Sequence, residues 1–191
     1  MSGGKTAADR RDEVLDAAYT CLTRYGVRRT TMDDIAAEMG VSRSALYQYV
    51  SGKDAAFRLL AERLHARALD RARAVAASDA PVGDRVLGVL GVKLDLVLDL
   101  RGDSPHAAEL LDARARLFGD VCAGFTAEVR ALLVAMLSES GPGDAVGSGD
   151  AVGDTAEILL AVVTGLEGAS EPRRLLARAV DALFACPGCA H

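Results

Sequence analysis

Between positions 43 and 49 the chain gathers side chains of the types that read double-stranded DNA: Arg43, Ser44, Ala45, Tyr47, Gln48 and Tyr49. An arginine pairs bidentately with guanine and a glutamine with adenine, while small residues such as Ser44 and Ala45 let the backbone approach base edges. Tyrosine hydroxyls, a lysine and a threonine suit phosphate oxygens. The spacing therefore assigns base reading to Arg43, Ser44, Ala45 and Gln48, and phosphate contacts to Thr31, Tyr47, Tyr49 and Lys53. For Tyr47, partial burial against the preceding helix stands beside DNA contact.

Other chemistries find less support. His65, His106 and His191 are scattered, and no nucleophile, base and orienting group come together in sequence, so no catalytic residue is assigned and an enzyme is not expected. The glycines of Gly-Asp-Ala-Val-Gly, repeated at 143–147 and 149–153, lack the Gly-Lys-Ser/Thr and preceding strand of a phosphate loop. No cofactor is expected. The tail Cys186-Pro-Gly-Cys189-Ala-His191 holds two thiols and an imidazole, half of a zinc site, and is the basis of an alternative reading as a metal- or redox-responsive regulator. No metal ligand is assigned.

The elements that must position residues 43–49 are helices. Thr31 caps a helix with Asp34 at its third position, Ile35, Ala36 and Met39 form its apolar stripe, and Gly40 supplies the turn. Val41 is the apolar plug, Ser42 caps the second helix, and Leu46 and Val50 form its buried side. A further cap is expected at Ser51 with Asp54, placing Lys53 in the first turn of a long helix to about Ala77. That helix turns Phe57, Leu60, Leu64 and Leu69 inward and Arg63, Arg67, Arg71 and Arg73 largely outward. Upstream, an arm over residues 1–8 precedes a helix from about Asp9 to Tyr25, with Gly26 at its C-cap. Two short helices across a tight turn constitute a helix-turn-helix, whose second member enters the major groove.

On these residues the segment resembles the DNA-binding domain of the TetR (tetracycline repressor) family of bacterial regulators. The Gly40-Val41-Ser42 turn, the Leu46-Tyr47-Gln48-Tyr49 core and Lys53 opening the next helix match the family pattern in order and spacing. Val50 departs from it, since most members carry Phe there; the position is internal and bears on packing. The resemblance implies an all-α protein with a three-helix DNA-binding domain at 1–53 and a helical ligand-binding and dimerisation domain at 54–191. It also implies a homodimer on a palindromic operator, a small-molecule effector and repression as the usual outcome, with activation as the alternative.

The remainder agrees with that frame. The 191 residues are half apolar with net charge -5, divided into +3 over residues 1–77 and -8 over 78–191, a mildly basic reader on an acidic body. No uncharged apolar run is long enough to span a bilayer and the N-terminus lacks a signal-peptide core, so no membrane partner is expected and the location is read as cytoplasmic. Four cysteines are too few for a disulfide framework. A helix from Asp84 to about Leu100 is apolar nearly all round, and its Gly88 and Gly91 leave room for a ligand. Ser104-Pro105 starts another, running to Leu137 with a break between Ala113 and Asp120. An effector site there would be lined by Leu90, Leu94, His106, Leu110, Phe118, Cys122 and Phe125. The segment 141–153 is read as a loop unable to pack a core, and helices follow from Asp154 and Glu171. The stripe Ile158, Leu159, Val162, Val163 and Leu166 suits a dimer interface and an intrachain core equally.

Overall fold

A computed structural model of the chain describes residues 6–102, 106–139 and 150–184; the side chains of 7, 8, 107–116 and 150 lie outside that description. The described residues form eight helices and no strand. They divide into two compact units, one of residues 1–65 with 99–122 and one of 66–98 with 123–191.

The first unit begins with α1, Ala7–Arg29, capped by Thr6 through a reciprocal box with Asp9. The helix thus takes in positions expected to belong to the N-terminal arm, because Thr6 is followed three residues later by an acid; residues 1–5 lie outside the described part. Gly26, at φ 78° and ψ 171°, breaks α1, and a further turn follows through Arg29. That positive φ is why glycine occupies the break. Thr30, fully buried, pins it by donating its hydroxyl to Gly26 O at 2.7 Å and Cys21 O at 3.1 Å. Burial pushes the neighbouring Cys21 thiol up to about 11, so this cysteine packs rather than reacts.

Helices α2, Met32–Met39, and α3, Arg43–Leu46, follow, and α4, Lys53–Ala76, completes the reader. Helix α4 starts at Lys53 with its cap position on Gly52, one residue later than a Ser51 cap would place it; Gly52 O accepts the Ala56 N–H at 3.0 Å. Ile35, Leu46, Val50, Phe57 and Leu60 join Val14, Ala18 and Leu22 in one core. Arg63, expected outward, lies inward: its side chain is 12% exposed, and it donates to Asp12 O at 3.2 Å and Asp16 Oδ1 at 2.6 Å on α1. Arg67, Arg71 and Arg73 are exposed as their helical phase dictates. Helix α6, Ala107–Glu139, is broken at Phe118 (φ -149°, ψ 30°), inside the span where sequence places a break. Arg58 of α4 grips this break through Leu117 O at 3.4 Å and both oxygens of Asp120, and its hydrogen bonds hold the Asp120 carboxyl below its ordinary range.

In the second unit, α5, Val82–Gly102, buries Val86, Val89, Leu90, Lys93, Leu94, Leu96 and Val97. A Cβ at Gly88 would lie 2.6 Å from Val75 Cγ1, so this glycine admits a neighbouring helix rather than a ligand, whereas Gly91 faces open space. Helix α7 runs Asp150–Leu166 and α8 Pro172–Phe184, packed on each other. Residues 150–153 of the second Gly-Asp-Ala-Val-Gly copy therefore open α7 instead of lying in a loop, and Val152 is buried, an anchor that the flanking glycines and aspartates conceal in sequence. Residues 140–149 lie outside the described part. On α7, Leu159 and Val163 are enclosed by the chain's own core, which removes them from a partner-facing stripe; Ile158 is 63% exposed, and Val162 and Leu166 are half-buried.

One stretch, Leu117–Glu139, is long and apolar enough to cross a membrane by length and composition. Its buried residues, Cys122, Phe125, Val129, Leu133, Met136 and Leu137, recur at three- and four-residue spacing, with Glu128 and Arg130 on the exposed side, the pattern of a helix packed on one face.

Candidate nucleic-acid interface

The interface is built by local chemistry. Thr31 accepts the Asp34 N–H at 3.2 Å and donates its own hydroxyl and backbone N–H to Asp34 Oδ2 at 2.7 and 2.8 Å, fixing the start of α2. Those bonds keep the Asp34 carboxyl below its ordinary value. At the other end Gly40 adopts the left-handed conformation, φ 67° and ψ 33°, and Val41 N closes back on Ala36 O at 3.0 Å. Ser42 caps α3 by accepting the Ala45 N–H at 3.2 Å. The regular part of α3 is only four residues long, and bonds from Gln48 N to Ala45 O and Tyr49 N to Leu46 O tighten its continuation into a narrower turn.

Leu46 and Val50 anchor this short helix, buried beneath the reader core, and Tyr49 packs half-buried against it. Arg43, Ser44, Tyr47 and Gln48 are left exposed on the outer face, with Ala45 half-exposed among them. Tyr47, 44% exposed, is on the solvent side of the two possibilities its position allowed. The four proposed base readers and Tyr47 thus share one surface, as a face entering a groove requires.

The polar tips are already ordered. Arg43 Nη1 donates to Asp33 Oδ2 at 2.9 Å, its Nη2 donates to Tyr47 Oη at 3.3 Å, and the guanidinium stands 5.7 Å from the Tyr47 ring centroid. The Tyr47 hydrogen bond and the Asp33 carboxylate raise the Arg43 pKa above its ordinary value. Asp33 has no counterpart in the sequence reading; the signal that could have found it is an acid in the first turn of α2, ten residues before the arginine. Lys53 Nζ donates to Val27 O at 3.0 Å and to Arg28 O at 3.4 Å, stapling the last turn of α1 to the start of α4. Thr31, Arg43 and Lys53 therefore all hold intrachain partners in the absence of nucleic acid.

The residues proposed for an effector site are distributed over both units and are described within each. Leu90, Leu94 and Phe125 are buried in the second, and Cys122 is buried and Phe118 and His106 half-buried in the first. The Leu110 side chain lies outside the described residues, as do Cys186, Cys189 and His191. Sequence reasoning passed over Lys93, the one charged side chain buried among the described residues. Its Nζ donates to Thr126 Oγ1 at 3.1 Å and stands 5.7 Å from the Phe125 ring centroid.

Comparison with known proteins adds a family to this geometry. Residues 14–60 match the amino-terminal domain of the bacterial regulatory proteins of the tetR family. The HTH-type transcriptional regulator TtgR of Pseudomonas putida is 32% identical over 118 residues, 61% of this chain and 55% of TtgR, so the match spans about half the length of that relative. Among solved structures, a candidate transcriptional regulator of Pseudomonas aeruginosa PAO1 superposes with a TM-score of 0.74 at 21% identity, covering 95% of this chain and 91% of that one. SmeT, the repressor of the Stenotrophomonas maltophilia multidrug efflux pump SmeDEF, superposes at 0.65 with 20% identity, covering 93% and 91%, and its complex with triclosan at 0.66. The structural likeness at such identities speaks for the fold. The helix-turn-helix built by Thr31, Gly40, Ser42 and Leu46 falls inside the matched 14–60 segment, and over that segment the chain is similar to the amino-terminal domain of the tetR family of bacterial regulatory proteins.

Proposed function

We propose that this protein is a cytoplasmic, homodimeric regulator that binds a palindromic DNA operator through α3 and is released from it by a small molecule, acting as a repressor. The observation that supports this most is the exposed face of Arg43, Ser44, Tyr47 and Gln48 above a fully buried Leu46.

Binding exchanges partners rather than filling empty ones. The Arg43–Asp33 pair is exposed on both sides, 55% and 64%, and a pair of that kind holds weakly, so a bidentate contact with guanine in a desolvated groove displaces it. Lys53 keeps its two carbonyl acceptors and offers its third ammonium proton to a phosphate. Two readers are needed because one short helix makes too few contacts, and two half-sites about one helical turn apart require a twofold dimer. The exposed Ile158 on α7 takes the central place in that interface, with Val162 and Leu166 beside it. TtgR is named as a regulator and SmeT as a repressor with a triclosan complex, and both lend support by kinship of fold.

Selection of bound duplexes from a random pool tests the reading: a palindromic consensus with half-sites about ten base pairs apart is the expected result, and recovery of no consensus would refute sequence-specific binding. On the selected operator, Lys53→Ala should weaken all sequences alike and reduce the salt slope by about one counterion per subunit. An unchanged slope accompanied by a lower melting temperature would leave Lys53 only its staple between α1 and α4.

A further inference from the structure

We propose that Asp33 sets how strictly the reader demands guanine: it is an alternative partner for Arg43, and half-sites lacking guanine are tolerated because Arg43 returns to it. The inference deepens the proposed operator-binding regulator and rests on that reading. It starts from an acid that the helix start does not need. Asp34, not Asp33, completes the capping box with Thr31 at the head of α2. Asp33 instead reaches the second helix of the pair, where its Oδ2 accepts from Arg43 Nη1 at 2.9 Å. An acid in a first turn also suits the helix dipole, but that role does not require an arginine ten residues on.

The geometry makes this pair exchangeable. Both side chains are more than half exposed, so each is solvated when they part, and such a pair favours the closed arrangement by only about 1.5- to fivefold. Arg43 Nη2 meanwhile donates to Tyr47 Oη, and the guanidinium stands beside the Tyr47 ring, contacts that hold the head on the outer face independently of Asp33. Guanine presents O6 and N7 in the major groove, a bidentate match that exceeds one exposed ion pair. Adenine, cytosine and thymine each present at most one acceptor there. Facing those bases, Arg43 stays with Asp33. The penalty for losing guanine is therefore the guanine contact less the ion pair. Without the carboxylate the whole contact is at stake, so operator affinity rises and discrimination sharpens.

Asp33→Asn removes the charge while keeping the side-chain shape and the Thr31–Asp34 box. Binding of the full chain is measured by fluorescence anisotropy on the operator selected from the random pool and on duplexes whose guanine is replaced in one half-site. Asp33→Asn should tighten operator binding and enlarge the penalty for losing that guanine, each by about 1.5- to fivefold per half-site. In an Arg43→Ala background the same change should leave the penalty unaltered. Asp33→Ser should repeat the result of Asp33→Asn, and circular dichroism with thermal melting establishes that every variant is folded. Equal tightening on intact and substituted duplexes would overturn the inference, because Asp33 would then act only by repelling phosphates. So would a penalty that is unchanged or smaller in Asp33→Asn, or one that grows even without Arg43. The unaltered chain separates the two readings. Failure to select any consensus refutes the regulator, whereas a selected operator with no sharpening in Asp33→Asn refutes this inference alone.

Discussion

Thr30 in the reader unit and Lys93 in the other unit are the two polar side chains that the described structure buries, and they are held by different kinds of partner. Thr30 bonds two backbone carbonyls, those of Gly26 and Cys21, and so is part of how α1 is bent into place. Among its described partners Lys93 has side chains, the Thr126 hydroxyl and the Phe125 ring. Backbone carbonyls move only if the fold moves, whereas a side-chain hydroxyl rotates at little cost. The contrast teaches that burial of a polar group does not by itself mark a structural role; the nature of its partners does.

The largest effect expected from this comparison is on stability. Thr30→Val keeps the shape but removes the hydroxyl from two carbonyls and should cost about 1–3 kcal/mol in denaturant unfolding. Lys93→Met should cost clearly less, because methionine fits an apolar stripe and the Thr126 hydroxyl can turn to a carbonyl of its own helix. A Lys93→Met penalty equal to that of Thr30→Val would break the distinction.

A second test uses two glycines of one helix that the sequence treats alike. Gly88→Ala forces a Cβ to within 2.6 Å of Val75 Cγ1 and should destabilise by about 1 kcal/mol or more. Gly91→Ala meets nothing within 4 Å and should stabilise α5 by about 0.5–1 kcal/mol. Thermal melts of the two variants should move in opposite directions, and movement in the same direction would contradict the packing described for α5.

The smallest effect concerns acid. In the folded chain the Asp34 carboxyl lies below its ordinary value of 3.8 because Thr31 donates two hydrogen bonds to it. Its contribution is therefore complete above the ordinary carboxylate range and is lost as pH falls below 3.8 through the lowered value. Asp34→Asn should flatten the stability profile in that acid window and leave the profile near neutrality parallel to that of the unaltered chain.

Much of the reader was legible because its determinants are local. A cap at Thr31 with Asp34, a glycine turn at Gly40 and a cap at Ser42 depend on neighbours within four residues, and each forms the hydrogen bond its type implies. What was not legible depends on distant partners. Arg63 looks like a solvated helix charge until Asp12 and Asp16 of α1 face it, and Gly88 looks like ligand space until Val75 fills it. Val152 sits among glycines and aspartates that suggest a loop, yet it is buried in the first turn of α7. Lys93 escaped notice because a lone charge in an apolar run reads as a surface position, and only burial distinguishes the two. Leu159 and Val163 share a helical stripe with Ile158, but the stripe is wide enough to face the chain's interior on one side and solvent on the other.

The central claim is that the outer face of α3 reads DNA sequence, and Arg43→Ala tested against a panel of single-base operator variants by fluorescence anisotropy addresses it most directly. The account predicts that discrimination falls by about tenfold at one base pair in each half-site and stays unchanged elsewhere. An undiminished preference at every position, with affinity merely lowered throughout, would contradict base reading by this face.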